Sequence, residues 1–441
     1  MTASSEKAGK LIAYLNSIEP MDELIQKVVP QLEGHEMIRE TNSVPSPLSW
    51  SAEARQKRLK HIEKANDHAL PYLLGEKSFA EPESLRGNIE NYIGMTQVPT
   101  GIIGPLMVKG IHANGEFFVP MATTEGALVA SYNRGAKACK LSGGISSICT
   151  TEGVQRTPAF KFRNMGEVGK FVEWVIGEIP KLKEIVAHSS RFAILEDIRI
   201  NIEGNMTLIV FEYTTGDAAG QNMVTICTDI ICRYIIEQFP IKPQHWFLES
   251  NYSGDKKATA VSFSNVRGKK ITAEVTMPKK IVQEVLHTTP ELMDAYWKVS
   301  CIAGIQSGSI GTQGHYANGL TAIFMACGQD VACVAEASVG ITRIEINENG
   351  DLYACVTLPN MIVGTVGGGT HLSTQNECLE IMGCAGAGKS KKFAEICGAA
   401  ILAGELSIAA AIASGDFAKA HLLFGRKPAN AAHSTENMPN G

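Results

Sequence analysis

The segment Ala394–Ser414 is an almost uninterrupted Ala-rich run at helical spacing, close to the end of the chain. Its most apolar stretch, Leu406–Gly415, is bounded by Glu405 and Asp416. That falls well short of the roughly 18 uncharged residues needed to cross a bilayer. A helix apolar on every face has to be enclosed by protein, so the chain should wrap a large domain around a central helix. With 441 residues, 44% of them hydrophobic and 19% charged, it has material for such a core, and its length suggests two or three domains.

Up to residue 87 the chain is charged and poor in glycine, with helical spacing in Met21–Leu32 and Ala52–Leu74. Most of the 42 glycines follow, among apolar runs and short turns. Glu125–Leu141 reads as a helix capped by Thr124 and stopped by Gly143-Gly144. Phe192–Tyr213 alternates apolar and polar residues on either side of Glu203-Gly204-Asn205, a hairpin signature. Asn222–Phe239 returns to helical spacing, and Ala258–Met277 resembles strands. Met293–Ala337 gives helices broken over Gly304–Gly314, and a strand pair over Arg343–Pro359 turns at Asn347–Asp351. Strands and helices without regular βαβ alternation predict an α+β fold, with a strand-rich middle inserted into a larger helical domain.

A net charge of -5, from 40 basic and 45 acidic residues, offers no basic footprint for nucleic acid or an anionic membrane. The basic cluster Arg55–Lys60 reads as a solvated helix face. The eleven cysteines are odd in number, form no CxxC pair and sit mostly in apolar runs, where cysteine acts as a small hydrophobe. Met1–Lys10 is polar and holds no signal core. A reduced, cytoplasmic protein is expected, with no membrane or nucleic-acid partner.

Gly383–Ser390 satisfies the P-loop pattern GxxxxGK[ST], but context argues against a nucleotide site. The preceding Gln375–Met382 contains Asn376, Glu377 and Glu380 and does not read as a buried strand. No GxGxxG fingerprint follows an early strand, so a nicotinamide cofactor would have to bind something other than a Rossmann fold.

Four ionisable residues stand in unusual company. Glu125 follows Met121-Ala-Thr-Thr and could be an acid in a helix's first turn. Lys256 lies in Asp255-Lys-Lys257, a charged turn by itself. Asp330 follows Gly328-Gln in an apolar pattern and, if buried, needs a cation or a proton. His421 follows the Ala-rich helix, where a tail histidine is the plain reading.

Taken with Glu90-Asn-Tyr-Ile-Gly94 and Gly364-Thr-Val-Gly-Gly-Gly-Thr370, these motifs stand in the order seen in 3-hydroxy-3-methylglutaryl-CoA (HMG-CoA) reductases. The chain resembles the class I branch of that family from about Leu85 to Arg426. The resemblance implies four-electron reduction of the thioester to mevalonate and CoA by two NADPH, with catalytic Glu125, Lys256, Asp330 and His421. A lysine ammonium suits the oxyanion formed on hydride attack, with a carboxylate beside it to keep it charged. An imidazolium can protonate the departing thiolate, and a buried glutamic acid of raised pKa can protonate the aldehyde oxygen.

The resemblance further assigns Arg156 and Lys257 to the substrate's carboxylate, Lys298 and Asn318 to other positions of the substrate pocket, and Asn133 and Arg134 to its CoA part. NADPH falls to Ser190, Arg191, Phe192, Asp217, Gly220, Asn222, Gly367 and Gly368, and no metal is implied. It divides the chain into a small helical domain over 1–87, a catalytic domain over 88–156 and 245–426, an inserted NADP-binding domain over 157–244 and a flexible tail over 427–441. Glu90–Gly94 resembles the family's dimerisation segment, which implies a homo-oligomer, dimer or tetramer, with shared active sites. The chain departs from the family pattern at Glu249, where a serine touches substrate, at Ser253-Gly254 in place of Cys-Thr, and at Ala219 and Gln221 in place of two methionines. Lys427 stands where animal homologues carry a regulatory serine. Rival readings are a class II reductase, an ATP-using enzyme built on Gly383–Ser390, and a catalytically dead CoA-binding protein.

Overall fold

The computed structural model describes residues 5–29, 42–66, 68–79 and 81–418. The chain opens with helices α1 Ser5–Ile18, α2 Met21–Val28, α3 Ala52–Asn66 and the single turn α4 Pro71–Leu74. A hairpin follows, β1 Thr100–Lys109 with β2 Asn114–Ala122, then α5 Leu128–Leu141 and the long strand β3 Ile145–Arg156. The next elements are β4 Ala159–Lys161, α6 Met165–Ser189, β5 Ile194–Glu203, β6 Met206–Thr214, α7 Gln221–Gln238 and β7 His245–Phe247. Beyond a short 3-10 turn come β8 Gly268–Met277, α8 Lys279–Val285, α9 Pro290–Ser307, β9 Gly311–Thr312, α10 Tyr316–Ala326 and α11 Val334–Ala337. The described chain ends with β10 Gly340–Ile346, β11 Leu352–Met361, α12 Ser373–Ile381 and α13 Ser390–Ala413.

All the strands join one 11-stranded sheet, ordered β7-β4-β6-β3-β8-β11-β10-β9, with β1 and β2 beside β3 and β5 beside β6. Only the β1–β3 and β9–β10 neighbours run parallel. The fold is therefore α+β and not a Rossmann sheet, which would need a series of parallel strands.

The α13 helix is 24 residues long, and from Phe393 to Ser407 every residue is buried. It is long and apolar enough to cross a membrane by composition, and 83% of its most apolar stretch is buried inside the protein. Two acids inside the helix fix it there. Glu395 accepts backbone N–H bonds from His112 and Ala113 at 2.8 Å each and from Cys149 at 3.2 Å. Glu405 accepts from Gly314 and His315 at 2.7 Å each. Close approach needs glycine: a Cβ at Gly135 of α5 would strike the Ala403 carbonyl.

A second apolar cluster lies between α6, α7 and strands β4–β6, with Phe160, Phe162, Phe171 and Phe239 at its centre. Its helix α6 starts where Asn164 accepts the Glu167 N–H at 3.0 Å, the N-cap bond. The N-terminal helices dock by Val44, Ile62 and Leu70 onto Phe118 and Ile381. The β3 strand links the two halves: Ser146–Gly153 pair with β8, and Val154–Arg156 pair with β6. Arg156 is thereby delivered to the junction.

One expected helix boundary moves. The helix predicted from Glu125 begins at Leu128, because Ala127 takes a left-handed φ of 72°, so Glu125 sits in the loop before it.

Candidate active site

Lys256 lies in a tight loop between β7 and β8 and adopts a left-handed φ of 54°. Its backbone N–H donates to Glu336 Oε1 at 3.1 Å, which holds the turn. Its ammonium meets Asp330 Oδ2 at 2.8 Å. That hydrogen bond raises the lysine pKa, against some desolvation. Asp330 caps the 3-10 turn after α10 through the Ala332 N–H at 3.0 Å. In the single chain the pair is 45% and 44% exposed, not buried, so the site is open on that side.

Beneath the pair is a network that sequence reasoning missed. Buried Arg267 donates to Glu336 at 2.6 Å and to Asp255 at 2.9 Å. Burial raises the Glu336 pKa, and Arg267 pulls it back only in part. Arg156 donates to Glu249 at 2.9 Å and to Asp255 at 3.1 Å. The available signal was a charge in apolar company at Glu336, within Cys333–Ala337, whereas Arg267 stands in the polar stretch Ser264–Lys270 and gave none. Lys257 is exposed, with its Nζ 3.1 Å from the Asp255 carbonyl.

The remaining groups gather elsewhere. Asn318, in the first turn of α10, donates to both Glu125 oxygens at 3.1 and 2.9 Å. Glu125 is exposed, so the burial expected for it is not supplied by the described residues. Below lies His315, whose Nδ1 is 3.3 Å from buried Glu405 and whose Nε2 has no partner among the described residues. Lys298 on α9 pairs with Asp294 at 2.6 Å. Asn133 accepts the Gly104 N–H at 2.9 Å, and Arg134 bonds the Ser407 carbonyl at 2.7 Å across to α13. Asn318 lies in the first turn of the 11-residue α10 and Asp330 beyond its far end, so the two pairs are anchored at opposite ends of a helix about 16 Å long. His421 lies outside the described residues.

Pairing of Ile194 with Thr214 brings the α6–β5 and β6–α7 connections to one edge of the sheet. Arg191 and Phe192 project there, guanidinium 5.9 Å from the ring centre and the ring 64% exposed. Ser190 Oγ accepts the Ala193 N–H at 3.0 Å. Gly220 opens α7 at φ 81° with no side-chain cap, and Asn222 is exposed in that first turn. Helix N–H groups left free in this way suit an anionic ligand. Gly367 and Gly368 form an exposed left-handed turn on the Gly364–Thr370 loop, tied to this edge by Thr365 N–H to the Asp217 carbonyl at 2.8 Å.

Asp217 itself faces the P-loop-like segment. Its carboxylate accepts the Gly388 and Ser390 N–H groups at 2.6 and 3.0 Å. Burial opposes its charge, but those bonds hold its pKa below the usual aspartate value. Since helix α12 precedes the segment where a P-loop needs a strand, and a carboxylate sits on its amides, it is a helix start rather than a phosphate cradle.

Residues 54–426 match the family described as hydroxymethylglutaryl-coenzyme A reductase. The chain belongs to the HMG-CoA reductase family. It is 43% identical over 381 residues to 3-hydroxy-3-methylglutaryl-coenzyme A reductase of Pyrococcus abyssi, covering 85% of this chain and 93% of that protein. It is 38% identical over 380 residues to 3-hydroxy-3-methylglutaryl-coenzyme A reductase of Agrotis ipsilon, covering 84% of this chain and 44% of that longer protein. A class II reductase from Streptococcus pneumoniae, solved bound to NADPH in open conformations, shares the reductase fold with a TM-score of 0.66 at 18% identity, over 83% of this chain and 100% of the other.

Proposed function

We propose that the chain reduces (S)-3-hydroxy-3-methylglutaryl-CoA to mevalonate and CoA with two NADPH, as a class I reductase. The observation that carries this is the Lys256–Asp330 pair at 2.8 Å, an ammonium held charged at an open site in a chain of this family. When bound, NADPH supplies the hydride. As the thioester oxygen gains negative charge, Lys256 faces it, and Asp330 keeps Lys256 protonated and oriented. Glu125, steadied by Asn318, offers the proton for the aldehyde oxygen in the second reduction. His421 protonates the departing thiolate.

The separation along α10 supports a site assembled from two copies, Lys256 and Asp330 from one and Glu125 and Asn318 from the other. The class I assignment rests on the Gly364–Thr370 stretch and the spacing of the motifs. We read residues 157–244, with their own apolar cluster, as the cofactor-binding insertion. There Arg191, which no described carboxylate pairs, fits a 2′-phosphate, and the uncapped α7 start fits a further anionic group.

Loss of NADPH absorbance on adding HMG-CoA tests the activity, and no loss with folded protein refutes it. Arg191→Ala should raise the KM for NADPH far more than that for NADH. Equal use of both cofactors by the wild type would instead favour class II.

A further inference from the structure

The guanidinium read above as the holder of the substrate's carboxylate is already engaged inside the chain. Arg156 is 7% exposed. Its Nη1 donates to Glu249 at 2.9 Å and to Asp255 at 3.1 Å, and its Nη2 reaches Gln221 Oε1 at 3.4 Å. Gln221 and Glu249 sit on different elements, one opening α7 and the other following β7. Both are departures from the family pattern, and both end on this one guanidinium.

Glu249 is well fixed in place. Its Oε1 accepts the Asn251 N–H at 2.8 Å, and both its oxygens accept from Ser253 Oγ at 3.1 Å. It is nonetheless 26% exposed, so a ligand can reach it. We propose that Glu249 is an internal competitor for the substrate's carboxylate, held on Arg156 with Gln221, and that it sets the enzyme's affinity and acyl selectivity. The proposal rests on the reading of Arg156 as a substrate-binding residue.

The donor inventory supports it. A guanidinium grips a carboxylate best with two parallel N–H groups. Glu249 and Asp255 take Nη1 and Gln221 takes one hydrogen of Nη2, which leaves the Nε–H and the second Nη2 hydrogen without a described acceptor. An incoming carboxylate finds only those two donors and lies beside two like charges, Asp255 of the Asp255-Lys-Lys257 motif and Glu249, which adds a repulsion that the family's serine would not. A neutral acyl terminus escapes that repulsion, and Gln221 Nε2, also without an acceptor, can donate to its oxygen. Preference for the acid over a neutral analogue is thereby compressed.

The test compares HMG-CoA with the ester in which its terminal carboxyl is methylated, at saturating NADPH, for wild type, Glu249→Ser and Glu249→Gln. Both variants should lower the KM for HMG-CoA, about tenfold for Glu249→Ser, with a smaller change in kcat, and should raise the acid-to-ester ratio of kcat/KM by about as much. An unchanged or higher KM with an unchanged ratio, in variants that melt as the wild type does, overturns the proposal. If the wild type turns over neither compound, the reading of its activity has failed instead. The proposal is then decided by calorimetric titration with free 3-hydroxy-3-methylglutarate, where tighter binding by Glu249→Ser supports it and equal or weaker binding sinks it.

Discussion

At 2.8 Å from Asp330 and about half exposed, the Lys256 ammonium takes its raised pKa first from that hydrogen bond. Replacing Asp330 with Asn removes the partner's charge, so the pKa should fall and the alkaline limb of the kcat/KM profile should move to lower pH. An unmoved limb would separate Asp330 from the charge on Lys256. Lys256→Ala should cost about a hundredfold or more in turnover while circular dichroism stays native, because the side chain buries little. His421→Gln gives a sharper division. It should lose most thioester reduction yet keep reduction of added mevaldehyde, from which no thiolate leaves, whereas Lys256→Ala should lose both. Equal loss on the two substrates would make the C-terminal segment structural. The ion pair itself was not legible from spacing. Lys256 alone reads as a charged turn, and only the ordered set of motifs singled it out. Glu249 and Gln221 were visible as departures, but their meeting on Arg156 needs the β3–β6 pairing that brings three distant segments together.

Among the elements, α13 combines an apolar surface with a buried acid whose protonation is measurable. Burial pushes Glu395 up to about 7, even though backbone N–H groups of His112, Ala113 and Cys149 favour its charged form. A carboxyl whose folded pKa exceeds its unfolded value is more protonated in the native state. Its stabilisation is therefore full below pH 4.5 and is lost as pH rises from there to about 7. Urea unfolding across that window should show stability falling in the wild type, and Glu395→Gln should flatten that fall whatever its absolute stability. An identical slope in both proteins would assign it to other groups. The α13 helix and the β5–β6 hairpin were readable because period and turn chemistry agree, with Gly204 supplying a left-handed φ of 54°. The start of α5 was not, since nothing in an alanine announces the left-handed turn at Ala127. The 25-residue α6, with Pro180 inside it, was passed over, although Asn164-x-x-Glu167 is a recognisable capping signal.

For the whole molecule, the proposed two-copy site carries an arithmetic prediction. Glu125→Gln and Lys256→Ala chains should each be inactive alone. After joint refolding, a mixed dimer regains one site with all four wild-type groups, so activity should return to roughly a quarter of wild type at random pairing. No recovery, with mixed dimers shown to form, would place all four groups in one chain. The buried acids of α13 also bear on the time before any of this is assembled. On a ribosome the segment is exposed, and its 24 residues are long enough to partition into a bilayer. In an unfolded chain Glu395 and Glu405 are ionised, and charged side chains within an inserting helix oppose its entry into a bilayer. The two side chains that later anchor the core to backbone amides first bias this segment of the nascent chain towards water.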